Sequence, residues 1–113
     1  MIIYGIKNCG TMKKAFLWLE ENGVAYTFHD YKTKGVTKEK IMHWLSQKSL
    51  TDLINTSGTT FKKLSEQEKT LLGDTNKAIE LMIEKTSMIK RPLVETGNEV
   101  LLGFNPDFWD KHI

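Results

Sequence analysis

The chain has one cysteine, two prolines and three histidines in 113 residues, and each scarcity removes a class of protein. A lone cysteine closes no internal disulfide, so a disulfide-stapled secreted scaffold is excluded. With no export signal, the reducing cytoplasm is the expected compartment. His29, His43 and His112 stand far apart with no i,i+4 partner, so no metal site is expected. No apolar run approaches the ~18–20 residues of a membrane span, and no signal-peptide core is present. The net charge of +2 is too small to argue for direct nucleic-acid binding. Repeats, low-complexity runs and Pro/Gly-rich linkers are all missing. A single domain over residues 1–113 is therefore expected, long enough for one core.

What is present is organised around Met1–Leu19, MIIYGIKNCGTMKKAFLWL. Ile2, Ile3 and Tyr4 form a β-prone run that Gly5 is expected to break. Lys7, Asn8 and Gly10 read as loop. From Thr11 onward Met12, Ala15, Phe16 and Leu19 recur at helical spacing. Cys9 thus falls between a strand end and a helix start. The first N–H groups of a helix lack intrahelical partners and the dipole there is positive, which favours a thiolate. Together with Lys7, Lys13 and Lys14 this predicts a thiol more acidic than a free cysteine.

Glu20-Glu21-Asn22-Gly23 reads as a helix end, and Val24–Tyr31 as a second strand. Strand, helix, strand within about thirty residues is a βαβ unit with parallel strands, and such sheets carry functional residues at the carboxyl ends of their strands. Lys32–Val36 is a loop. Thr37 caps a helix through about Gln47, Leu50–Ile54 is a short helical piece, and Asn55–Thr60 is a polar loop. Ser65-Glu66-Gln67-Glu68 fits a capping box, and Asp74 caps a helix to about Lys85. Residues 37–85 thus form an all-helical insertion. Ile89–Val94 and Val100–Leu102 make a hairpin around Gly97-Asn98. Asn105 or Asp107 opens a last helix whose Phe108 and Trp109 are expected to pack on the sheet. The sum is an α/β fold: a four-stranded mixed sheet with helices on both faces and a helical insertion.

Several segments together give the chain a resemblance to the arsenate reductase/Spx family of thioredoxin-like proteins, and within it to the small YffB-type members. They are Tyr4-Gly5-Ile6-Lys7-Asn8-Cys9, Lys13-Lys14-Ala15, Trp18-Leu19-Glu20 and Phe28-His29-Asp30-Tyr31. Further on come Asn55-Thr56 with Gly58-Thr59-Thr60, Lys90-Arg91-Pro92-Leu93 and Leu101-Leu102-Gly103-Phe104. The resemblance implies a thioredoxin-like fold and an Arg91–cis-Pro92 pair beside a reactive Cys9. Cis peptides are readily available only before proline, and a guanidinium there can hold a thiolate or an oxyanion.

It also implies limits. The arsenate reductases resembled here carry a histidine where this chain has Gly5, a serine where it has Met12, and further arginines where it has Asn55 and Phe104. Strong arsenate binding is not expected. With Met12 at the second position of a C-x-x-C pattern, no internal disulfide switch of the Spx type can form. The expected protein is a monomeric, monothiol oxidoreductase without a bound cofactor. Cys9 is the nucleophile and Arg91 its catalytic partner; Lys7, Asn8, Gly10, Thr11, Lys13, Asn55 and Pro92 line the thiol or substrate site. Glutathione, another low-molecular-weight thiol or a glutaredoxin would complete the cycle. The alternative is a Spx-like regulator that binds RNA polymerase.

Overall fold

Ile2–Gly5 forms strand β1 and Gly10–Glu21 helix α1. The computed structural model describes residues 1–113 and shows two compact units, Met1–Lys34 with Arg91–Ile113, and Gly35–Lys90. Helix α1 buries Met12, Ala15 and Leu19, the one-sided spacing of an amphipathic helix. It ends in a Schellman turn: Gly23 takes φ +64, its N–H donates to the Glu20 carbonyl, and the Val24 N–H donates to the Leu19 carbonyl. That φ suits glycine, which has no Cβ to clash.

Strand β2 is Thr27–Asp30, shorter than the predicted Val24–Tyr31, because the Schellman turn consumes the first residues. Tyr31–Lys34 is a single helical turn, α2, where a loop was predicted. After the second unit the chain returns as β3, Leu93–Glu95, and β4, Val100–Leu102, then the helix Pro106–His112. The sheet order is β2-β1-β3-β4. β1 pairs parallel with β2, Tyr4 opposite His29 and Gly5 opposite Asp30. It pairs antiparallel with β3, Tyr4 opposite Leu93. The fold is thus a mixed four-stranded sheet with helices. Gly5 is the last residue of β1, and the strand ends there as expected.

One face of this sheet, with Ile3, Val94 and Leu101, joins Met12, Ala15, Leu19 and Trp109 in a core whose members are all at most 1% exposed. Full burial of an aliphatic side chain is worth about 1.5–3 kcal/mol, so this layer dominates the unit's stability. Asn105 caps the last helix, its side chain accepting from the Phe108 N–H. The expectation for Phe108 is corrected: it is 43% exposed and stacks on His112, ring centroids 4.0 Å apart. Only Trp109 points inward. The other sheet face carries Tyr4, whose ring lies 4.8 Å from that of His29.

The second unit is helical: α3 Lys38–Leu45, α4 Leu50–Leu53, α5 Thr59–Lys62, α6 Glu66–Leu71 and α7 Thr75–Glu84, then a 3₁₀ turn, Thr86–Met88. Thr37, Ser49, Ser65 and Asp74 each cap their helix through the side chain, and Ser65 and Glu68 close a capping box. Helix α5 and the 3₁₀ turn were not predicted; Thr-rich residues 59–60 gave no helical signal. Ile41, Trp44, Leu53, Ile79 and Met82 are buried, whereas Met42 is 52% exposed. Residues 54 and 89 form an isolated antiparallel bridge, with no longer strand there. The last helix, Pro106–His112, is α8.

Candidate active site

Cys9 is the N-cap residue of α1, with extended backbone (φ −132, ψ 131), and its carbonyl accepts the Lys13 N–H at 3.0 Å. Its thiol is half-buried. Burial alone pushes the thiol pKa up. The Met12 N–H, a hydrogen bond from the Arg91 side chain, the Thr11 N–H and the charge of Arg91 outweigh burial and hold the thiol pKa below its ordinary value. The contribution of the first-turn N–H groups is largely electrostatic, since the sulfur makes no side-chain cap bond of ordinary geometry to them. The free N–H groups of the first turn act here as a positive pole for the thiolate.

Arg91 reaches the sulfur because β3 runs antiparallel to β1, so the residues entering β3 lie beside the end of β1. The Arg91–Pro92 peptide is cis. The buried Pro92 offers its carbonyl to the Gly103 N–H at 2.8 Å, tying the entry of β3 to the exit of β4.

The other expected site residues divide. Gly10 and Thr11 form the exposed first turn of α1 around Cys9. Lys7, Asn8, Lys13 and Lys14 are exposed, and none of the three lysines contributes to lowering the thiol pKa, contrary to expectation. An exposed ammonium is strongly hydrated and screened, whereas Arg91 is only partly exposed and donates directly. Asn55 belongs to the second unit; its N–H donates to the Met88 carbonyl at 2.8 Å. Its side-chain amide nitrogen lies 2.8 Å from where a Cβ at Gly58 would stand. Asn55 therefore shapes its own loop.

Sequence reasoning missed a polar group on the Tyr4 side of the sheet. The Tyr4 hydroxyl donates to Glu95 Oε1 at 2.6 Å across 91 positions of sequence. Tyr31 is 2% exposed, in ring contact with Tyr4 and His29. Tyr31 stood within the family-like segment Phe28–Tyr31, but only strand register brings it near Tyr4.

The arrangement defines a class first: a thioredoxin-like domain presenting one half-buried cysteine at the start of its first helix. The chain belongs to the ArsC family, whose model matches residues 4–112. It is similar to the solved structure named YFFB protein, with 49% identity, TM-score 0.91, and 97% of this chain and 96% of that one covered. An arsenate reductase (ArsC) related protein from Brucella melitensis is 44% identical with TM-score 0.77, covering 98% of this chain and 92% of that one. The global transcriptional regulator Spx of Streptococcus agalactiae is 30% identical over 88% of this chain and 73% of its own length. No helix is long and apolar enough to cross a membrane.

Two outcomes follow from the electrostatics. Arg91→Ala removes a donor and a charge from the thiolate. A hydrogen bond to a charged group is worth about 1.5–3 kcal/mol, less where water competes, so alkylation of Cys9 at neutral pH is expected to slow roughly tenfold. A rate–pH series with iodoacetamide checks this; an unshifted series removes Arg91 from the site.

The second concerns stability. The folded thiol ionises below the unfolded one, so between the two pKa values the unfolded chain holds more protons and stability rises with pH. That contribution is complete above the unfolded value, ~8.5, and is lost as pH falls through the folded one. Tyr4 and Tyr31 act in the opposite sense. Burial, aided at Tyr4 by the Glu95 hydrogen bond and at Tyr31 by the nearby Tyr4, raises both. Above pH ~10 the unfolded tyrosines ionise first and stability falls. In urea titrations, wild type should gain on Cys9→Ser as pH rises toward the unfolded thiol value of ~8.5 and keep that gain above it, while above pH ~10 both proteins lose stability together. A difference flat with pH would contradict the lowered thiol pKa.

Proposed function

We propose that this protein is a monothiol oxidoreductase. The Cys9 thiolate attacks a disulfide, a mixed disulfide forms on Sγ, and an external thiol such as glutathione resolves it. The observation that carries this reading is the convergence of the Met12 and Thr11 N–H groups and the Arg91 side chain on Sγ. These groups favour the thiolate, which is the nucleophile. The same environment makes Cys9 a good leaving group when the second thiol arrives. With no other cysteine in the chain, release must come from outside. Glutathione or a glutaredoxin-type donor suits this role, in the cytoplasm and with the protein a monomer.

Arsenate reduction is the weaker form of the same chemistry. An oxyanion needs several charged donors. Phe104 lies edge-on to Trp109 at 4.9 Å, part of the hydrophobic packing, and supplies none.

The test is incubation with oxidised glutathione, followed by intact mass. One glutathione on wild type, none on Cys9→Ser, and release at a rate proportional to added thiol support the reading. No adduct under conditions where iodoacetamide modifies Cys9 fully would overturn it. The second reading, a regulator that binds RNA polymerase without a redox switch, draws on the likeness to Spx. Co-purification with polymerase subunits that survives Cys9→Ser would favour it.

A further inference from the structure

Three side chains issue from one end of three adjacent strands. Cys9 follows β1, Tyr31 follows Asp30 at the end of β2, and Arg91 precedes β3. Two of them are already in contact, Arg91 donating to Sγ. Tyr31 is the unexplained one. Its ring is packed, with centroids 6.2 Å from Tyr4 and 6.0 Å from His29, yet its hydroxyl is buried and makes no hydrogen bond. A phenylalanine would present the same ring without that penalty. The hydroxyl nevertheless lies within the electrostatic reach of the Arg91 guanidinium and the Glu95 carboxylate. Buried hydroxyls without partners are costly and rare, and each calls for a reason.

The proposed reaction supplies one, because it changes the charge on the sulfur that Arg91 holds. The Cys9 thiolate attacks oxidised glutathione. Its electron pair forms the new Sγ–S bond, the glutathione S–S bond breaks, and one glutathione thiolate departs with the negative charge. Sγ is then a neutral sulfur and a weak acceptor, so Arg91 loses an anionic partner.

Resting on the monothiol reading, we propose that Tyr31 is a positioning residue for this cycle: its hydroxyl oxygen accepts a hydrogen bond from Arg91 in the mixed disulfide and stabilises that state. Tyr31 acts on the sulfur only through Arg91. The unpaired hydroxyl of the reduced protein is thus an acceptor held ready for the second state, and it shifts the thiol–disulfide equilibrium toward the adduct.

The experiment equilibrates wild type, Tyr31→Phe, Arg91→Ala and the double variant in buffers of fixed reduced-to-oxidised glutathione ratio. Intact mass gives the adduct fraction. Tyr31→Phe is expected to lower the equilibrium constant for the mixed disulfide by about threefold to tenfold, the worth of one net hydrogen bond. It should have no further effect in the Arg91→Ala background. Reduced Tyr31→Phe should resist urea at least as well as wild type, and its alkylation rate–pH series should overlay that of wild type. An unchanged equilibrium constant, an effect that persists without Arg91, or a shifted alkylation series would each overturn the proposal. Wild type that forms no adduct at all would instead defeat the monothiol reading, and this proposal with it.

Discussion

Gly5→Val is expected to destabilise the protein by about 1–3 kcal/mol, the usual range for overpacking a filled core. A Cβ at position 5 would stand 2.5 Å from Met12 Sδ and 2.6 Å from Met12 Cε. Met12 is fully buried against Ile3 and Leu19 in the core layer, so its thioether has little room to retreat. The glycine is there because the methionine fills its space. Met12→Ala alone removes a buried side chain, a change that costs about 2–5 kcal/mol. The double variant should cost less than the sum, because valine enters the space that methionine leaves; contacting residues typically couple by about 0.5–3 kcal/mol. Urea midpoints for the four proteins check this, and strict additivity would show that the two positions do not share the space. The pair also touches chemistry, since the Met12 N–H is one of the groups that lowers the Cys9 pKa. Gly5→Val should slow alkylation of Cys9 as it displaces the first turn of α1.

Trp109→Ala is expected to cost more, about 3–5 kcal/mol, as for other buried aromatic truncations. The side chain has no solvent exposure and meets Trp18 and Phe104 edge-on at 5.5 and 4.9 Å. Its indole N–H donates to the Gly103 carbonyl at 3.1 Å, fixing α8 to the end of β4. Trp109→Phe keeps most of the area and should recover more than half of the loss. Phe108→Ala, one residue away but exposed, should change stability by no more than about 0.5 kcal/mol, as surface substitutions usually do. Equal losses at 108 and 109 would mean that α8 is rotated from the orientation described.

That contrast shows which features local sequence can carry. The caps at Thr37, Ser65 and Asp74 were legible, and Asn105 was one of two candidates for the last helix, because a cap is a contact between residues three apart. The order of strands and helices followed from periodicity and turn residues. The choice between Phe108 and Trp109 did not, because both suit an inward position and only the placement of α8 on the sheet decides. Gly5 ends β1 as expected, but the packing reason for a glycine there, the side chain of Met12 one element away, was not visible in the sequence. Cys9 and its helix start were visible in the sequence, and its pairing with Arg91 came from the family resemblance. The lysines were misjudged because proximity in sequence counts for little beside direct donation from a partly buried guanidinium. Tyr31 and the Tyr4–Glu95 bond depend on register between strands at opposite ends of the chain, which no local pattern encodes.

The first unit is discontinuous, and this sets an order of events during synthesis. Cys9 and Arg91 belong to the same unit but come from segments separated by the whole of Gly35–Lys90. At about 5–20 residues per second, roughly 4–16 s pass between the addition of the cysteine and that of its arginine. For that interval the nascent thiol lacks the guanidinium and, until β3 arrives, half of the sheet on which α1 rests. It is closer to an ordinary cysteine, and less of it is in the form that oxidants and electrophiles attack. The acidity of Cys9 is therefore a mark of completed folding. A ribosome-bound fragment that ends before Arg91 should carry a slower-reacting thiol than the released chain.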